Sequence, residues 1–236
     1  MNKNPSGTPK NGEEPAVEAV FVPEVSAARY EKWFPQLSAE AREKLLTYHS
    51  ELIKFNRTIN LISPGTAKSA DATHFADAVL ASEEIQKHLI PDAPLYDFGS
   101  GNGIPGLVFG LLYPQVKVVL VDRDQRKLEF CKHIAATLKL TNVSTHVGGV
   151  EELPSGSIKN AVARGFAPLS KALLLTRKPL AKGGRFFHMK GDGWANELAQ
   201  VPSQLFSVWS PSLLAQYRIP DSNAEMGVVL TEKIGD

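Results

Sequence analysis

The sequence predicts an α/β fold, a doubly wound and mostly parallel sheet of seven strands with an N-terminal helical cap. After Pro94, short apolar runs of strand length alternate with segments mostly long enough for helices, which is the pattern of a parallel sheet with helical crossovers. The last two runs lie close together without a strong helical pattern between them, so they are expected to pair antiparallel. In chain order the predicted strands are PLYDF, VKVVLVD, VSTHV, NAVAR, GRFFHMK, LFSVWS and GVVLTEK.

The region before the sheet is predicted to hold two helices. Ser38 is a favourable N-cap, and the AEAREKLLTYHSELIKF that follows it spaces its apolar residues along one helical face. A second helix is predicted over THFADAVLASEEIQKHL, before Pro91 and Pro94. Residues 1–25 carry Pro, Gly, Asn, Lys and Glu with almost no aromatic residue, which predicts a flexible leader. We expect one domain over residues 26–236, with residues 26–90 as its helical cap.

Composition limits the class of protein. The chain has 236 residues, of which 43% are hydrophobic and 22% charged, enough for one sizeable core. Its single cysteine, Cys131, gives no disulfide framework and favours the reducing cytoplasm. No apolar run reaches the roughly 20 residues that span a bilayer, and the N-terminus lacks the apolar core of a secretory signal. The histidines form no HExxH motif or close cluster with Asp. We therefore expect a cytoplasmic monomer without a membrane partner or a metal.

Basic residues are unevenly distributed along the chain. The net charge is only +1, but residues 153–191 contain no Asp or Glu. A solvated face explains such a segment as well as a nucleic-acid surface does, unless it borders the active site. The basic residues of this segment are Lys159, Arg164, Lys171, Arg177, Lys178, Lys182, Arg185 and Lys190.

A glycine-rich turn, DFGSGNGIPG at residues 97–106, follows the first predicted strand and leads into a helix. In a doubly wound sheet, ligands bind where strand carboxyl ends meet helix N-termini. Gly99, Gly101 and Gly103 remove side chains where a cofactor approaches the main chain, and Gly106 allows the helix to pack near the sheet. The turn therefore predicts a cofactor site.

The type of cofactor depends on Asp97. Gly101, Gly103 and Gly106 satisfy G-x-G-x-x-G, the dinucleotide pattern, so a nicotinamide-dependent oxidoreductase is one alternative. A carboxylate at the strand tip repels a pyrophosphate, whereas it pairs directly or through water with a cationic amino acid. S-adenosylmethionine carries an α-ammonium and a sulfonium and no phosphate. Asp97 therefore favours S-adenosylmethionine.

Two further positions match a nucleoside. Asp122 ends the second strand, where an acid accepts hydrogen bonds from ribose hydroxyls; a plain N-cap of the next helix is the alternative. After the third strand, Val150 and Glu151 offer a backbone and a carboxylate to an adenine edge.

Taken together, these stretches resemble the RsmG/GidB family of bacterial 16S ribosomal RNA guanine-N7 methyltransferases, from about residue 48 to residue 191. FNRTINLIS resembles the family's WNxxxNLT, THFADAVL resembles RHLLDSL, and DFGSGNGIPG resembles DVGTGxGLPG. VLVDRDQRKLEFC resembles LLDSxxKRxxFL, ARGFAPLSK resembles SRAFAxL, HMKG resembles LKG, and GGVEEL is shared. The GIPG and ARGF elements are more specific than a general methyltransferase signature.

The resemblance implies a Rossmann-like methyltransferase that transfers a methyl group from S-adenosylmethionine to a guanine N7 in the decoding region of 16S rRNA, leaving S-adenosylhomocysteine. Free 16S rRNA or the small ribosomal subunit is then its partner. The same positions imply that Arg164 and Lys190 face the cofactor and the RNA, as candidate catalytic residues, with the acid-free segment beside the reacting methyl. The implied cofactor contacts are Gly99, Ile104, Asp122, Val150, Glu151 and Arg164.

Three positions depart from the family pattern. Thr73 stands where the family has arginine, Ala78 where it has serine, and Gly149 where a basic residue is often found. These departures concern the RNA contacts and leave the cofactor turn untouched.

Other methyltransferase chemistries lack their residues here. Cytosine C5 transfer needs a cysteine nucleophile, and Cys131 lies within a predicted helix instead of a Pro-Cys loop. Adenine N6 transfer commonly uses an Asp-Pro-Pro-Tyr-like tetrad where this chain has ARGF. Guanine N7 carries a lone pair and no proton, so the absence of a catalytic dyad is expected. Transfer to another RNA or to a small molecule, and a silent RNA-binding module, remain the alternatives.

Four side chains have an open role at this stage. Arg164 either orients the cofactor carboxylate or holds an RNA phosphate. Phe166 either stacks on the target base or belongs to the core. His74 and Asp77, three residues apart on one helical face, either border the site or fasten the cap to the sheet.

Overall fold

The computed structural model describes residues 21–236. Within them, helices and strands alternate as predicted. The helical cap contains α1 (Pro23–Trp33), α2 (Ala39–Asn56), α3 (Pro64–Ala67), a π-helical segment (Asp71–Ala76), α4 (Asp77–Ile85) and a 3₁₀ turn (Gln86–His88). The first half of the sheet region contains β1 (Leu95–Phe98), α5 (Gly106–Leu112), β2 (Val118–Asp122), α6 (Gln125–Thr137), β3 (Val143–Val147) and a 3₁₀ turn (Val150–Glu152). The second half contains β4 (Ile158–Arg164), α7 (Leu169–Thr176), β5 (Leu180–Gly191), α8 (Trp194–Ala199), a 3₁₀ turn (Ser203–Ser207), β6 (Trp209–Arg218) and β7 (Glu225–Lys233).

The seven strands form one sheet in the order β3-β2-β1-β4-β5-β7-β6. Strands β1 to β5 are parallel, and β7 is antiparallel to both β5 and β6. The predicted fold class and the antiparallel pair at the end of the sheet are confirmed. The order turns outward on both sides of β1 and β4, which places a crevice at their carboxyl ends, as in other doubly wound sheets.

The sheet separates two hydrophobic cores. On one face, Leu95 and Leu120 pack with the helical cap, α5 and α6. On the other face, Phe98 and Val121 pack with α7 and with the segment that leads into β6. Alternate residues of β1 therefore belong to opposite cores, as a buried parallel strand requires.

The cap has more elements than the sequence predicts. Helix α2 begins after Ser38, whose Oγ accepts a hydrogen bond from the Ala41 N–H at 3.1 Å, as expected. The second predicted helix is present, but it starts as a π-helical segment and ends as a 3₁₀ turn. Helices α1 and α3 were not predicted. Residues 1–20 of the predicted leader lie outside the described residues, and α1 begins at Pro23, ahead of the predicted boundary at residue 26.

The sixth strand lies later in the chain than predicted. The run LFSVWS was predicted as this strand, but most of it forms the end of the 3₁₀ turn and the link to β6, and β6 starts only at Trp209. Leu205 and Trp209 are buried, so the run is apolar because it covers the core and not because it alternates in a sheet. Strand β6 itself contains Pro211, which an edge strand tolerates.

None of the helices in the described part of the chain has the length and hydrophobicity needed to cross a bilayer.

Candidate cofactor site at the carboxyl edge of the sheet

The glycine turn after β1 adopts a backbone that other residues rarely reach. Gly99, Gly101 and Gly103 have φ values of 66°, 52° and 87°, in the left-handed region. A Cβ on Gly99 would lie 2.7 Å from Cδ2 of Phe166, and a Cβ on Gly103 would overlap Leu107. These two glycines are therefore fixed by packing as well as by backbone conformation.

Gly101 differs from its neighbours because the space beside it is open. The nearest atom to a Cβ placed there is the Gly99 carbonyl oxygen, 3.7 Å away. The Gly101 N–H donates to Oδ2 of Asp122 at 2.7 Å, which ties the turn to the end of β2. A side chain at 101 would extend into the space where a cofactor is predicted.

The helical cap supports this turn from below. The Tyr48 hydroxyl, on α2, donates to the Asn102 carbonyl oxygen at 2.5 Å. Tyr48 is fully buried, and its ring packs edge-on against Phe75 with centroids 5.1 Å apart. The predicted cap thus has a direct role in shaping the turn.

A cleft of about 380 Å³ opens beside the turn, between the loops after β2 and β3 and helix α7. Of the predicted cofactor contacts, four line it: Gly99, Asp122, Val150 and Glu151. The other lining residues are Val121, Arg123, Gly148, Gly149, Phe166, Lys171 and Leu175. The other predicted site residues do not line this cleft: Asp97, Gly101, Gly103, Ile104, Arg164 and Lys190.

Asp122 is oriented by two backbone contacts. Oδ2 accepts the Gly101 N–H, and Oδ1 accepts the Asp124 N–H at 2.9 Å. Asp124, and not Asp122, caps α6, since its side chain accepts the Arg126 and Lys127 N–H groups. A carboxylate oxygen can accept two hydrogen bonds, and each oxygen of Asp122 accepts one from the backbone. Asp122 therefore keeps acceptor capacity for a ligand in the cleft.

Asp97 lies beneath the turn and is completely buried. Its Oδ2 accepts the Gly106 N–H at 2.9 Å, and its Oδ1 has no partner among the described residues. The pKa of Asp97 is raised to about 7, mainly by burial and less by the nearby Asp122 carboxylate, while the Gly106 hydrogen bond opposes the rise. A buried carboxylate with one unpartnered oxygen fits a nearby cation or an ordered water.

The far wall of the cleft carries an ion pair that the sequence did not predict. The Arg123 guanidinium pairs with Oε1 of Glu151, and both side chains are exposed to solvent, Arg123 by 66%. A Cβ on Gly149 would overlap Arg123 and lie 2.7 Å from Oε2 of Glu151. Gly149 therefore leaves the room that this ion pair occupies.

Arg164, at the end of β4, is held by the helical cap. Its Nε lies 2.8 Å from Oδ2 of Asp77, its Nη1 donates to Nδ1 of His74 at 2.6 Å, and its Nη2 donates to the Thr73 carbonyl oxygen at 2.6 Å. The Tyr217 hydroxyl donates to the other oxygen of Asp77 at 2.8 Å. Of the two roles considered for His74 and Asp77, these contacts favour the structural one, in which both residues join the cap to the sheet.

His74 is neutral in this network. Arginine only donates hydrogen bonds, so Nδ1 of His74 must be the acceptor. Burial, and then the positive charge of Arg164, lower the pKa of His74 to about 3. Its Nε2 lies 3.1 Å from the Thr66 hydroxyl.

Lys190, the other candidate catalytic residue, is also engaged. Its Nζ lies 2.7 Å from Oε2 of Glu197 and donates to the Ala167 carbonyl oxygen at 3.3 Å. Oε2 of Glu197 also accepts the Leu169 N–H, so Lys190 helps to anchor the start of α7. The predicted roles of Arg164 and Lys190 toward cofactor and RNA stay predictions.

The resemblance implies that the acid-free segment lies beside the reacting methyl. In the structure only part of the segment lies on that side of the sheet. Strands β4 and β5 run toward the carboxyl edge and α7 returns from it, so Arg164, Lys171 and Lys190 lie toward that edge, and of these three Lys171 lines the cleft. The expectation is wrong for the residues near the strand starts and the end of α7, which are Lys159, Arg177, Lys178, Lys182 and Arg185.

Two other titratable groups, Cys131 and His188, do not line the cleft. Cys131 is buried, its Sγ lies 3.5 Å from the Gly101 carbonyl oxygen, and burial raises the pKa of its thiol. His188 is buried with Nε2 2.9 Å from the Thr231 hydroxyl. Residues 21–236 include no group of three or more His, Cys, Asp or Glu side chains placed to hold a metal ion.

Sequence reasoning missed Arg123, Gly148 and Leu175 as cleft residues. Arg123 and Gly148 directly follow the predicted second and third strands, so their positions were a usable signal. Leu175 gives no such signal, because an apolar residue in a predicted helix is expected to face the core.

The comparisons with known proteins agree with this geometry. The family described as rRNA small subunit methyltransferase G, GidB, matches residues 41–212. The chain is 50% identical to Ribosomal RNA small subunit methyltransferase G 3 of Bdellovibrio bacteriovorus, over 87% of this chain and 93% of that protein. It is 32% identical to Ribosomal RNA small subunit methyltransferase G of Methylobacillus flagellatus, over 76% of this chain and 87% of that protein.

Solved structures with low sequence identity share the fold. YcgJ of Bacillus subtilis superposes with a TM-score of 0.52 at 15% identity, covering 69% of this chain and 100% of that one. The tRNA methyltransferase TrmI of Aquifex aeolicus superposes with a TM-score of 0.51 at 16% identity, covering 68% and 69%.

The matches to relatives confirm the predicted class of S-adenosylmethionine-dependent methyltransferase and exclude the oxidoreductase alternative. The family model that covers residues 41–212 and the relative that is 50% identical over 87% of the chain lead to one assignment: the chain belongs to the rRNA small subunit methyltransferase G (GidB) family.

Proposed function

We propose that the cleft beside the glycine turn binds S-adenosylmethionine and that the chain transfers its methyl group to N7 of a guanine in 16S rRNA. One observation carries the proposal. An open, left-handed glycine turn meets Asp122 at the rim of a cleft that Val150 and Glu151 complete, in a member of this methyltransferase family.

The donor groups around the cleft fit the parts of this cofactor. Asp122 has acceptor capacity for ribose hydroxyls, and Val150 and Glu151 lie where an adenine edge would be recognised. The unpartnered Oδ1 of Asp97, buried beneath the turn, favours a positively charged group nearby, directly or through water. The open side of Gly101 leaves room for the cofactor over the turn.

The bound cofactor supplies an electrophilic methyl group on a sulfonium. Guanine N7 attacks with an in-plane lone pair and has no proton to lose, so the protein needs no general base. Its contribution is to align the base and the methyl group at about 3 to 3.5 Å and to exclude water. The positive charge passes from cofactor to purine, so fixed charges around the cleft also contribute.

The positions of Arg164 and Cys131 bear on this chemistry. Arg164 pairs with Asp77, His74 and Thr73 of the cap, so it supports the site by fixing the cap to the end of β4. Cys131 is buried with a raised thiol pKa, which makes it unsuited to covalent attack on a pyrimidine. This supports direct transfer to a purine nitrogen.

We also propose that residues 26–236 act as a single domain, as a monomer in the cytoplasm. The contact of Tyr48 with the turn and that of Asp77 with Arg164 support the single domain and the monomer, since the cap completes the site within one chain. Light scattering of the purified protein tests the oligomeric state.

The function is tested by mapping N7-methylguanine in 16S rRNA. The purified chain is incubated with radiolabelled S-adenosylmethionine and either protein-free 16S rRNA or small ribosomal subunits that lack the modification. Labelled N7-methylguanine at one site is expected in at least one of them. Label on another base, or on no RNA, contradicts the proposal.

A further inference from the structure

Helix α7 presents an unusual outer face. Its inward side is buried and mostly apolar, through Leu169, Ala172 and Leu173, with Thr176 hydrogen-bonded to the Ala172 carbonyl oxygen. Its outward side carries Lys171 and Leu174, and Arg177 and Lys178 follow on the same side of the chain. Leu174 is 57% exposed although it is a large apolar residue. Lys171 lines the cleft, so this outer face begins at the proposed site.

The cations on this face have no acidic partners. Lys171, Arg177 and Lys178 form no ion pair within residues 21–236, whereas many exposed lysines of the cap and of α6 pair with a glutamate. The acids near the end of α7 are already used, because Glu232 lies 3.7 Å from Arg185 and Asp236 lies 3.2 Å from Lys233. The side chains therefore keep their charge available to an external anion.

The backbone beneath these cations is firmly held. The Lys178 carbonyl oxygen accepts the Gly156 N–H at 3.0 Å, and the Arg177 carbonyl oxygen accepts Nζ of Lys233 at 2.8 Å. Charged side chains on a fixed backbone form a surface that is in place before a ligand binds.

Two more lysines extend the row to the amino edge of the sheet. Ile158 pairs with Leu180, which places Lys159 and Lys182 near the starts of β4 and β5. Both are exposed and neither has an ion pair within residues 21–236. With α7 itself about 12 Å long, the row leads from the cleft to the opposite edge of the sheet.

We propose that this basic ridge, defined as Lys159, Lys171, Arg177, Lys178 and Lys182, binds the phosphate backbone of the RNA whose target base enters the cleft. The inference rests on the proposed function and adds to it a path for the RNA away from the reacting base. It assigns a role to the part of the acid-free segment that lies far from the cofactor.

A polyanion fits this surface better than a protein partner. Unpaired cations arranged in a row match a chain of phosphates, whose binding releases counterions and depends strongly on salt. Lysine is depleted from protein interfaces, and four of the five ridge residues are lysine.

The test uses the double variant Arg177→Gln/Lys178→Gln, which lies outside the cleft. Its matched control is Lys132→Gln/Lys139→Gln, which removes the same charge from α6 and the residues after it, on the other face of the sheet. Binding to transcribed, protein-free 16S rRNA and to small ribosomal subunits is measured over a range of salt concentrations. S-adenosylhomocysteine binding is measured by calorimetry for all proteins.

The ridge variant should bind protein-free 16S rRNA about tenfold more weakly than the control. Its plot of log affinity against log salt should be shallower by about 1.4, since each contact to a single-stranded phosphate contributes about 0.7. Its affinity for S-adenosylhomocysteine should equal that of the control. Equal RNA affinity and slope in both variants overturn the inference, as does a loss seen only with small subunits, which would indicate a ribosomal protein.

This result is independent of the test of function. If wild-type protein methylates 16S rRNA but the ridge variant binds it like the control, only the ridge is wrong. If wild-type protein transfers no methyl group to 16S rRNA, the proposed function itself fails.

Discussion

Arg164 and Asp77 form an ion pair that joins the last residue of β4 to the first residue of α4, with Nε and Oδ2 2.8 Å apart. The Asp77 side chain is fully buried and that of Arg164 is 22% exposed. The pair thus fixes the helical cap to the sheet beside the cleft. The cap is part of the site and not an appendage to it.

Replacing Asp77 by Asn should destabilise the protein. The change removes the charge that balances Arg164, and a hydrogen bond to a charged group contributes about 1.5 to 3 kcal/mol. Urea unfolding gives the free energy of unfolding. Glu225→Gln is the control, because Glu225 forms an exposed pair with Arg218 that should contribute little. Equal losses in the two variants would show that the buried pair has no special role.

Arg164→Ala should lower the turnover number for methyl transfer at least tenfold, because the cation that fixes the cap to the end of β4 is lost. Arg185→Ala is the matched control, since Arg185 also bridges to the cap, through the His88 carbonyl oxygen, but at the amino edge of the sheet. Thermal unfolding of both variants separates activity from stability. Normal turnover in Arg164→Ala would remove this residue from the site.

Gly101→Arg should abolish S-adenosylmethionine binding in calorimetry. The side chain would fill the open space over the turn, where, within residues 21–236, the nearest neighbour of a Cβ is the Gly99 carbonyl oxygen at 3.7 Å. Gly101→Ala separates the two effects, because it imposes the same left-handed strain of about 1 to 2 kcal/mol without the bulk. Unchanged affinity in the arginine variant, with the fold intact, contradicts the placement of the cofactor.

Tyr48→Phe should weaken cofactor binding although Tyr48 does not line the cleft. The lost hydrogen bond to the Asn102 carbonyl oxygen contributes about 1 kcal/mol and holds the turn in place. Tyr30→Phe is the control, because its buried hydroxyl contacts His49, away from the turn. We expect both variants to lose a similar free energy of unfolding. Only Tyr48→Phe should lose affinity for the cofactor. Equal affinities would mean that the turn keeps its shape without the cap.

Asp97 should make stability depend on pH. Burial raises its folded-state pKa to about 7, well above its unfolded value, so the folded state holds this proton more tightly. Its stabilising contribution is complete below the unfolded pKa and is lost as the pH rises toward 7, with a limiting slope of about 1.4 kcal/mol per pH unit. The free energy of unfolding of the wild type minus that of Asp97→Asn should fall as the pH rises from about 5 to about 8. A constant difference would show that Asp97 does not titrate there.

The sheet could be predicted because its strands obey a simple rule. Strands β1, β2 and β4 are largely buried on both faces, so each appears in the sequence as a short apolar run between turns. The same rule failed at Leu205, where an apolar run covers the core in a 3₁₀ turn. It also failed for β6, an edge strand whose polar and proline residues hide it.

The site could be predicted only in part. Asp122 and Val150 end or follow strands, so topology alone brings them to one edge. The contact of Arg164 with Asp77 joins residues far apart in the chain, and nothing in their local patterns encodes it. Arg123 directly follows β2, so its place at this edge could have been predicted, but its ion pair with Glu151 depends on the space left by Gly149, which only the folded structure shows.

A crystal structure with bound S-adenosylhomocysteine would show whether S-adenosylmethionine lies over the glycine turn. We expect the ribose at Asp122, the adenine beside Val150 and the amino group on the side of Asp97. Density for the ligand elsewhere, or a cleft without ligand in a protein that still transfers methyl groups, would contradict this placement.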